Sequence, residues 1–124
     1  GYVNQSYIKG EVVAAALQNK NGEYIKPSVE SGESGALALN GIVLDENLAG
    51  TDPNPTAEGA YPIATLTWVL AYETGNGRKT EAVKETLSKL LSTEYQERAS
   101  VLGYVPLRGE ILEKSRAAVD KINK

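Results

Sequence analysis

The chain contains no histidine and no cysteine. It therefore has no imidazole base, no thiol nucleophile, no disulfide and no soft metal site, and only carboxylates, hydroxyls, lysine and arginine remain for chemistry. Methionine is also absent. A ribosomal product starts with methionine, so Gly1 reads as a processing, cloning or fragment boundary, and no leader is left at the start to be read. The lack of cysteine suits an oxidising envelope compartment and the cytoplasm equally. An excess of positive charge is also lacking: a formal net charge of −3 and a pI near 5.0 give no basic footprint for nucleic acid. The longest apolar runs, VVAAAL and IATLTWVLAY, fall well short of the ~20 residues needed to span a membrane, so direct membrane insertion is not expected.

The 124 residues amount to about one domain, a complete small one or a piece of something larger, able to bury about two-thirds of the unfolded surface. Tyr2 and Val3 open the chain, and the polar stretch after them is suited to one helical turn. Asn21-Gly22 supplies the positive φ values of a two-residue turn, predicting a hairpin between Val12–Gln18 and Glu23–Lys26 that Pro27 ends. Ser28 is the expected N-cap of a helix between residues 28 and 40, which Gly32 and Gly35 each weaken by about 1 kcal/mol. Residues 45–60, with two prolines and two glycines, read as a long loop of the kind found at functional or connecting positions. After it, YPIATLTWVLAYE is β-branched and aromatic with apolar residues on both faces, predicting a strand buried on both sides in an α/β sheet.

The last third reads as helical. Val83, Leu87, Leu90 and Leu91 keep helical spacing behind a Thr80 cap, with Glu81 in the positive first turn. Thr93-Glu94-Tyr95-Gln96 has capping-box spacing, and Gly103 closes that second helix. Ile111, Leu112, Ala118, Val119 and Ile122 outline a third. No internal repeat is evident.

Candidate chemistry is sparse. In SGESGAL (residues 31–37), Ser34 and Gly35 at a helix start have the hydroxyl and amides to hold an oxyanion. Glu30 and Glu33 place negative charge in the same turn, and Lys26 is the only nearby cation, with no arginine to clamp a phosphate. The stretch therefore reads as a flexible helix start on the surface. Asp45, Glu46 and Asp52 lack the spacing of a calcium loop and read as solvated carboxylates. Arg78, Lys79, Lys84 and Lys89 alternate with Glu81, Glu85 and Glu94 as a solvated helix face. Asn4-Gln5-Ser6 fits the glycosylation sequon, which has meaning only in a eukaryotic secretory pathway. Thr65 and Thr67 read as packed hydroxyls. No pairing of base and nucleophile specifies an enzyme, and no cofactor or metal site is expected.

Several stretches, in order, resemble one family. GYVNQSYI, AALQNKNGEYIKPSVES, AYPIATLTWVLAY, the paired helices ending in LGYVPL, and ILEKSRAAVDKI are similar to the C-terminal part of the phosphate-specific substrate-binding proteins of ABC importers. The resemblance implies an α/β chain forming the C-terminal portion of a two-lobed periplasmic-binding-protein fold of type II, with a hairpin, one long buried strand and three C-terminal helices. Residues 1–60 would end the second lobe, 61–72 would cross between lobes, and 73–124 would be helices packing on the first lobe. It further implies a periplasmic or envelope-exported parent that binds inorganic phosphate without catalysis and docks on importer membrane subunits. The family's phosphate ligands include an Arg followed shortly by Ser-Gly-Thr. Ser34-Gly35-Ala36 lacks both the Arg and the Thr and lies after GYV, where the family's motif lies before it. No ligand residue is carried over, and the ligands are expected upstream of Gly1. The competing reading is a small non-transport α/β interaction module derived from the same fold.

Overall fold

The computed structural model describes all 124 residues. The chain divides into two compact units, each assembled from two stretches: residues 1–66 with 98–106, and residues 67–97 with 107–124.

The first unit starts with a 3₁₀ turn, Gln5–Tyr7, whose Ser6 N–H is capped by the Asn4 side-chain oxygen at 2.9 Å. The hairpin follows, shorter than expected: β1 (Leu17–Gln18) pairs antiparallel with β2 (Tyr24–Ile25), Leu17 opposite Ile25 and Gln18 opposite Tyr24. Its turn also differs from the expected two-residue type. Only Gly22 has positive φ, at 83°, and the Gly22 N–H donates to the Asn19 carbonyl at 3.0 Å while the Asn19 N–H donates to the Glu23 carbonyl at 2.9 Å. A three-residue loop, a turn closed by one left-handed glycine, is the result. Asn19 selects it because its side-chain oxygen accepts the N–H groups of both Asn21 and Glu23 at 3.0 Å.

Helix α1 is short, Ser34–Leu39, and its N-cap is Glu33 rather than Ser28. The Ser28 backbone is occupied otherwise: its carbonyl accepts the Gly35 N–H, and its N–H donates to the Ser34 hydroxyl. Residues 45–60 form the expected loop. The core of this unit is Ala38, Leu39, Ile42, Leu44 and Ala60, with Pro55 buried completely. A 3₁₀ turn at Ser100–Leu102, closed by left-handed Gly103, completes the unit.

The second unit is helical. A 3₁₀ turn at Gly77–Lys79 runs into α2 (Thr80–Leu90), where Thr80 is the first helical residue and its hydroxyl donates to the Gly77 carbonyl at 2.8 Å. Helix α3 (Thr93–Glu97) is brief. The Ser92 oxygens, one backbone and one side-chain, take the first-turn N–H groups of Gln96 and Tyr95. Helix α4 (Gly109–Lys121) packs against α2 and buries Leu112 and Val119, with Ile122 just beyond. Arg116 donates twice to the Leu91 carbonyl, at 3.0 and 2.7 Å, placing a cation on the negative end of α2.

The buried strand at 61–72 is not formed. The only sheet is the two-stranded hairpin, and Ile63, Thr65 and residues 67–72 are exposed, Leu70 at 95% and Tyr72 at 81%. A strand is held by a ladder of inter-strand hydrogen bonds, and this segment makes isolated backbone bonds to its surroundings, the Tyr61 N–H to the Ser34 carbonyl at 3.0 Å and the Ile63 N–H to the Pro53 carbonyl at 3.2 Å, with no strand pairing. Ile63 also sits at φ +63°, a left-handed conformation that disfavours β-branched residues and interrupts the extended run at its start. The molecule is thus a small α/β chain with a two-stranded sheet and four helices.

Candidate functional site

The stretch with the strongest chemical promise, residues 31–37, is occupied by its own chain. Prolyl geometry at Pro27 ends β2, and the backbone turns back so that the Ser34 hydroxyl donates to the Lys26 carbonyl at 2.8 Å and accepts the Ser28 N–H at 2.9 Å. The Gly35 N–H donates to the Ser28 carbonyl at 3.1 Å. The Ser28 hydroxyl donates to the Glu33 carboxylate and accepts the Glu30 N–H at 3.2 Å. The hydroxyl and amide that an oxyanion would need are therefore already committed, and a carboxylate occupies the N-cap position. The expectation of a loose surface helix start also needs correction, because Ser34 and Gly35 are buried. A Cβ at position 35 would lie 2.4 Å from the Ser28 carbonyl oxygen and 2.7 Å from a Val105 methyl, so glycine is required there by close packing rather than by flexibility.

A second cluster, not foreseen from the sequence, joins the hairpin to the long loop. Asn19 is buried, and its amide nitrogen donates to the Glu23 carboxylate at 2.8 Å and to the Ala60 carbonyl at 3.3 Å. The same carboxylate oxygen accepts the Gly59 N–H at 3.0 Å. The Asn19 hydrogen bond, followed by that from Gly59, holds the Glu23 carboxyl below its ordinary range. Asn21 adds a bond from its amide nitrogen to the Thr56 carbonyl at 3.1 Å. The available signal was the Asn-x-x-Gly spacing of residues 19–22, which marks a side-chain-closed turn but says nothing about the distant partners.

The other candidate residues do not converge. Asp45 accepts the N–H groups of Asn47 and Ala49 at 2.8 and 2.9 Å, and Asp52 accepts that of Asn54 at 3.3 Å, so both carboxylates organise their own turns. Glu46 is exposed, and no group of acidic side chains gathers to hold a metal ion. Arg78, Lys79, Glu81, Glu85 and Lys89 lie on exposed helix surface. Lys84 reaches the Asp120 carbonyl at 3.1 Å. Ala82, Glu85, Thr86, Lys89, Leu90 and Tyr95 line an open groove on α2 and α3, with one acid and one base and no concentration of either charge. Thr65 and Thr67 are exposed rather than packed, the Thr65 hydroxyl touching only the neighbouring Leu66 carbonyl at 3.4 Å. No helix is long and apolar enough to cross a membrane.

The chain matches no family model. It is similar to several curated proteins. It is 28% identical over 141 residues to the phosphate-binding protein PstS of Methanocaldococcus jannaschii, covering 98% of this chain and 34% of that protein. It is 29% identical over 119 residues to the phosphate-binding protein PstS of Xylella fastidiosa, covering 94% of this chain and 32% of the relative. Against the protein of the same name from Pasteurella multocida it is 28% identical over 134 residues, covering 94% and 34%. The resemblance to phosphate-specific binding proteins therefore extends over nearly the whole chain, and the chain spans about a third of the length of the curated relatives it matches.

Proposed function

We propose that these residues are the C-terminal part of a phosphate-specific substrate-binding protein that delivers inorganic phosphate to an ABC importer. The parent would hold phosphate by hydrogen bonds between two α/β lobes of a type II periplasmic-binding-protein fold, without catalysis. The observation that carries this reading is the likeness to proteins named for phosphate binding over 94–98% of the chain. Residues 1–60 are assigned to the end of the second lobe, 61–72 to the crossing between lobes, and 73–124 to helices on the first lobe. The exposed, apolar side chains of 67–72, outside any sheet of this chain, support a crossing segment, since such a run suits a sheet whose other strands come from elsewhere in a longer chain. The parent is assigned to the periplasm or cell envelope, with importer membrane subunits as its protein partners.

The phosphate ligands are assigned upstream of Gly1. The commitment of the Ser34 hydroxyl and the Gly35 amide to the Ser28 turn and to Lys26 supports this, as does the absence of arginine near them. Titration calorimetry with inorganic phosphate is expected to show no tight binding by the 124 residues alone and tight binding by a chain of the relatives' full length. Micromolar binding by the 124 residues would overturn the ligand assignment. The exposed apolar run also favours a second reading, a non-transport interaction module. The gene upstream of Gly1 separates the two: an export signal with Ser/Thr-Gly loops, an Asp and an Arg favours the binding protein, and their absence favours the module.

A further inference from the structure

The chain contains three Asn-Gly steps, Asn21-Gly22, Asn40-Gly41 and Asn76-Gly77. In such a step the backbone nitrogen of the glycine can attack the asparagine side-chain carbonyl carbon, because glycine offers no side chain to hinder the approach. The N–Cγ bond forms, the Cγ–Nδ2 bond breaks, ammonia leaves, and water then opens the cyclic imide to aspartate or isoaspartate. No oxidant, metal or enzyme is needed, and water is the only co-reactant. Reaction requires that the glycine nitrogen be free to lose its proton and that the asparagine side chain be free to turn toward it.

The structure distinguishes the three steps. At Asn21-Gly22 both groups are held: the Gly22 N–H donates to the Asn19 carbonyl at 3.0 Å, and the Asn21 amide nitrogen donates to the Thr56 carbonyl at 3.1 Å. At Asn76-Gly77 the Asn76 amide nitrogen donates to the carbonyls of Tyr72 at 2.8 Å and Asn123 at 3.3 Å, which fixes the side chain. Asn40 ends α1 and is exposed, with its side chain outside any hydrogen bond, and the Gly41 N–H is likewise unpaired. Its backbone neighbours, by contrast, are anchored, the Asn40 N–H to the Ala36 carbonyl at 3.2 Å and the Ile42 N–H to the Leu39 carbonyl at 3.0 Å.

We infer that Asn40-Gly41 is a site of spontaneous deamidation in this protein, converting ahead of the other two steps. Conversion adds one negative charge to a chain of formal charge −3, at the end of α1, near the Asp52 carboxylate that stands over the Gly41 α-carbon. In the isoaspartate product the main chain runs through Cβ and Cγ and is one carbon longer, between the buried residues Leu39 and Ile42. That insertion works directly against the packing of the first unit.

The test is incubation of the purified chain at neutral to mildly alkaline pH, with peptide mapping by mass spectrometry and enzymatic isoaspartate detection at each of the three steps. At Asn21 and Asn76 the side-chain hydrogen bonds must open before reaction can begin. The expected result is conversion at Asn40 about tenfold faster than at either other site, equivalent to about 1.4 kcal/mol. In denaturant the three rates should converge, because the protection is structural. An Asn40→Gln variant should lose the early acidic species on ion exchange. Equal or faster conversion at Asn21 or Asn76 in the native chain overturns the proposal. So does an Asn40 step that stays intact while the denatured chain converts.

Discussion

The loop 45–60 has two prolines, two glycines and no regular element, yet it is held at both ends. Its Asp45 closes a turn on Asn47 and Ala49, Gly59 and Ala60 are tied to the hairpin through Glu23 and Asn19, and Pro55 and Ala60 are fully buried. The adjoining residues 63–72 carry tryptophan, tyrosine and four aliphatic side chains of valine size or larger, Ile63, Leu66, Val69 and Leu70, and most of them face solvent. Apolar character creates a demand for a partner and does not provide one. Closure of backbone and side-chain hydrogen bonds orders a segment, and the polar loop achieves it within this chain while the apolar run joins no sheet and stays largely exposed.

The largest effect expected from the ordered side of this contrast is at Gly50. A Cβ there would lie 2.4 Å from the Val43 carbonyl oxygen and 3.1 Å from side-chain atoms of Ile42 and Leu44. Gly50→Ala should cost about 3 kcal/mol, read as a lower thermal midpoint, since backbone must move to admit the methyl. An unchanged midpoint would show that the loop is as loose as its composition suggests. Next is Asn19→Ala, which strips the Ala60 carbonyl and the Asn21 and Glu23 amides of their partner. A loss of about 2 kcal/mol in denaturant unfolding is expected.

A pH-dependent effect follows from Glu23. Its carboxyl is held below the unfolded value by Asn19 first and Gly59 second, so the stabilisation is complete above that unfolded value, 4.5, and disappears as pH falls through the lowered folded value. The gap in thermal midpoint between wild type and Glu23→Gln should be full at neutral pH and close on acidification. A gap independent of pH would remove the carboxylate from the clasp. The smallest effect is expected in the apolar run. Leu70→Lys should change stability by less than about 0.5 kcal/mol, because Leu70 is 95% exposed. A loss of several kcal/mol would mean that the segment is buried in solution.

The helices were legible because their cause is local. The spacing of Val83, Leu87, Leu90 and Leu91, and of Ile111 to Ile122, needs no distant partner to be recognised, and α2 and α4 follow it. Gly103 as a left-handed stop was readable for the same reason, but it closes the Ser100–Leu102 3₁₀ turn rather than the second helix, which ends at Glu97. The strand at 61–72 was misread because burial is set by what lies opposite, which a segment's own pattern does not contain. The SGESGAL stretch was ambiguous for a related reason: its small residues signal close approach, but the approaching group is the Ser28 carbonyl and the Val105 methyl, not a ligand. The Asn19–Glu23–Gly59 clasp depends on residues 36 positions apart and left no pattern of its own.

At Gly103 an added Cβ would lie 2.5 Å from the Ser6 α-carbon, so the two ends of the first unit touch across nearly the whole sequence. That unit takes in residues 98–106, while residues 67–97 belong to the second. During synthesis, the hairpin and α1 must therefore wait until residue 103 has emerged before their packing is complete. Folding of this unit is tied to the arrival of residue 103 rather than to the emergence of the hairpin, and its rate is limited by closing the long loop between Ser6 and Gly103.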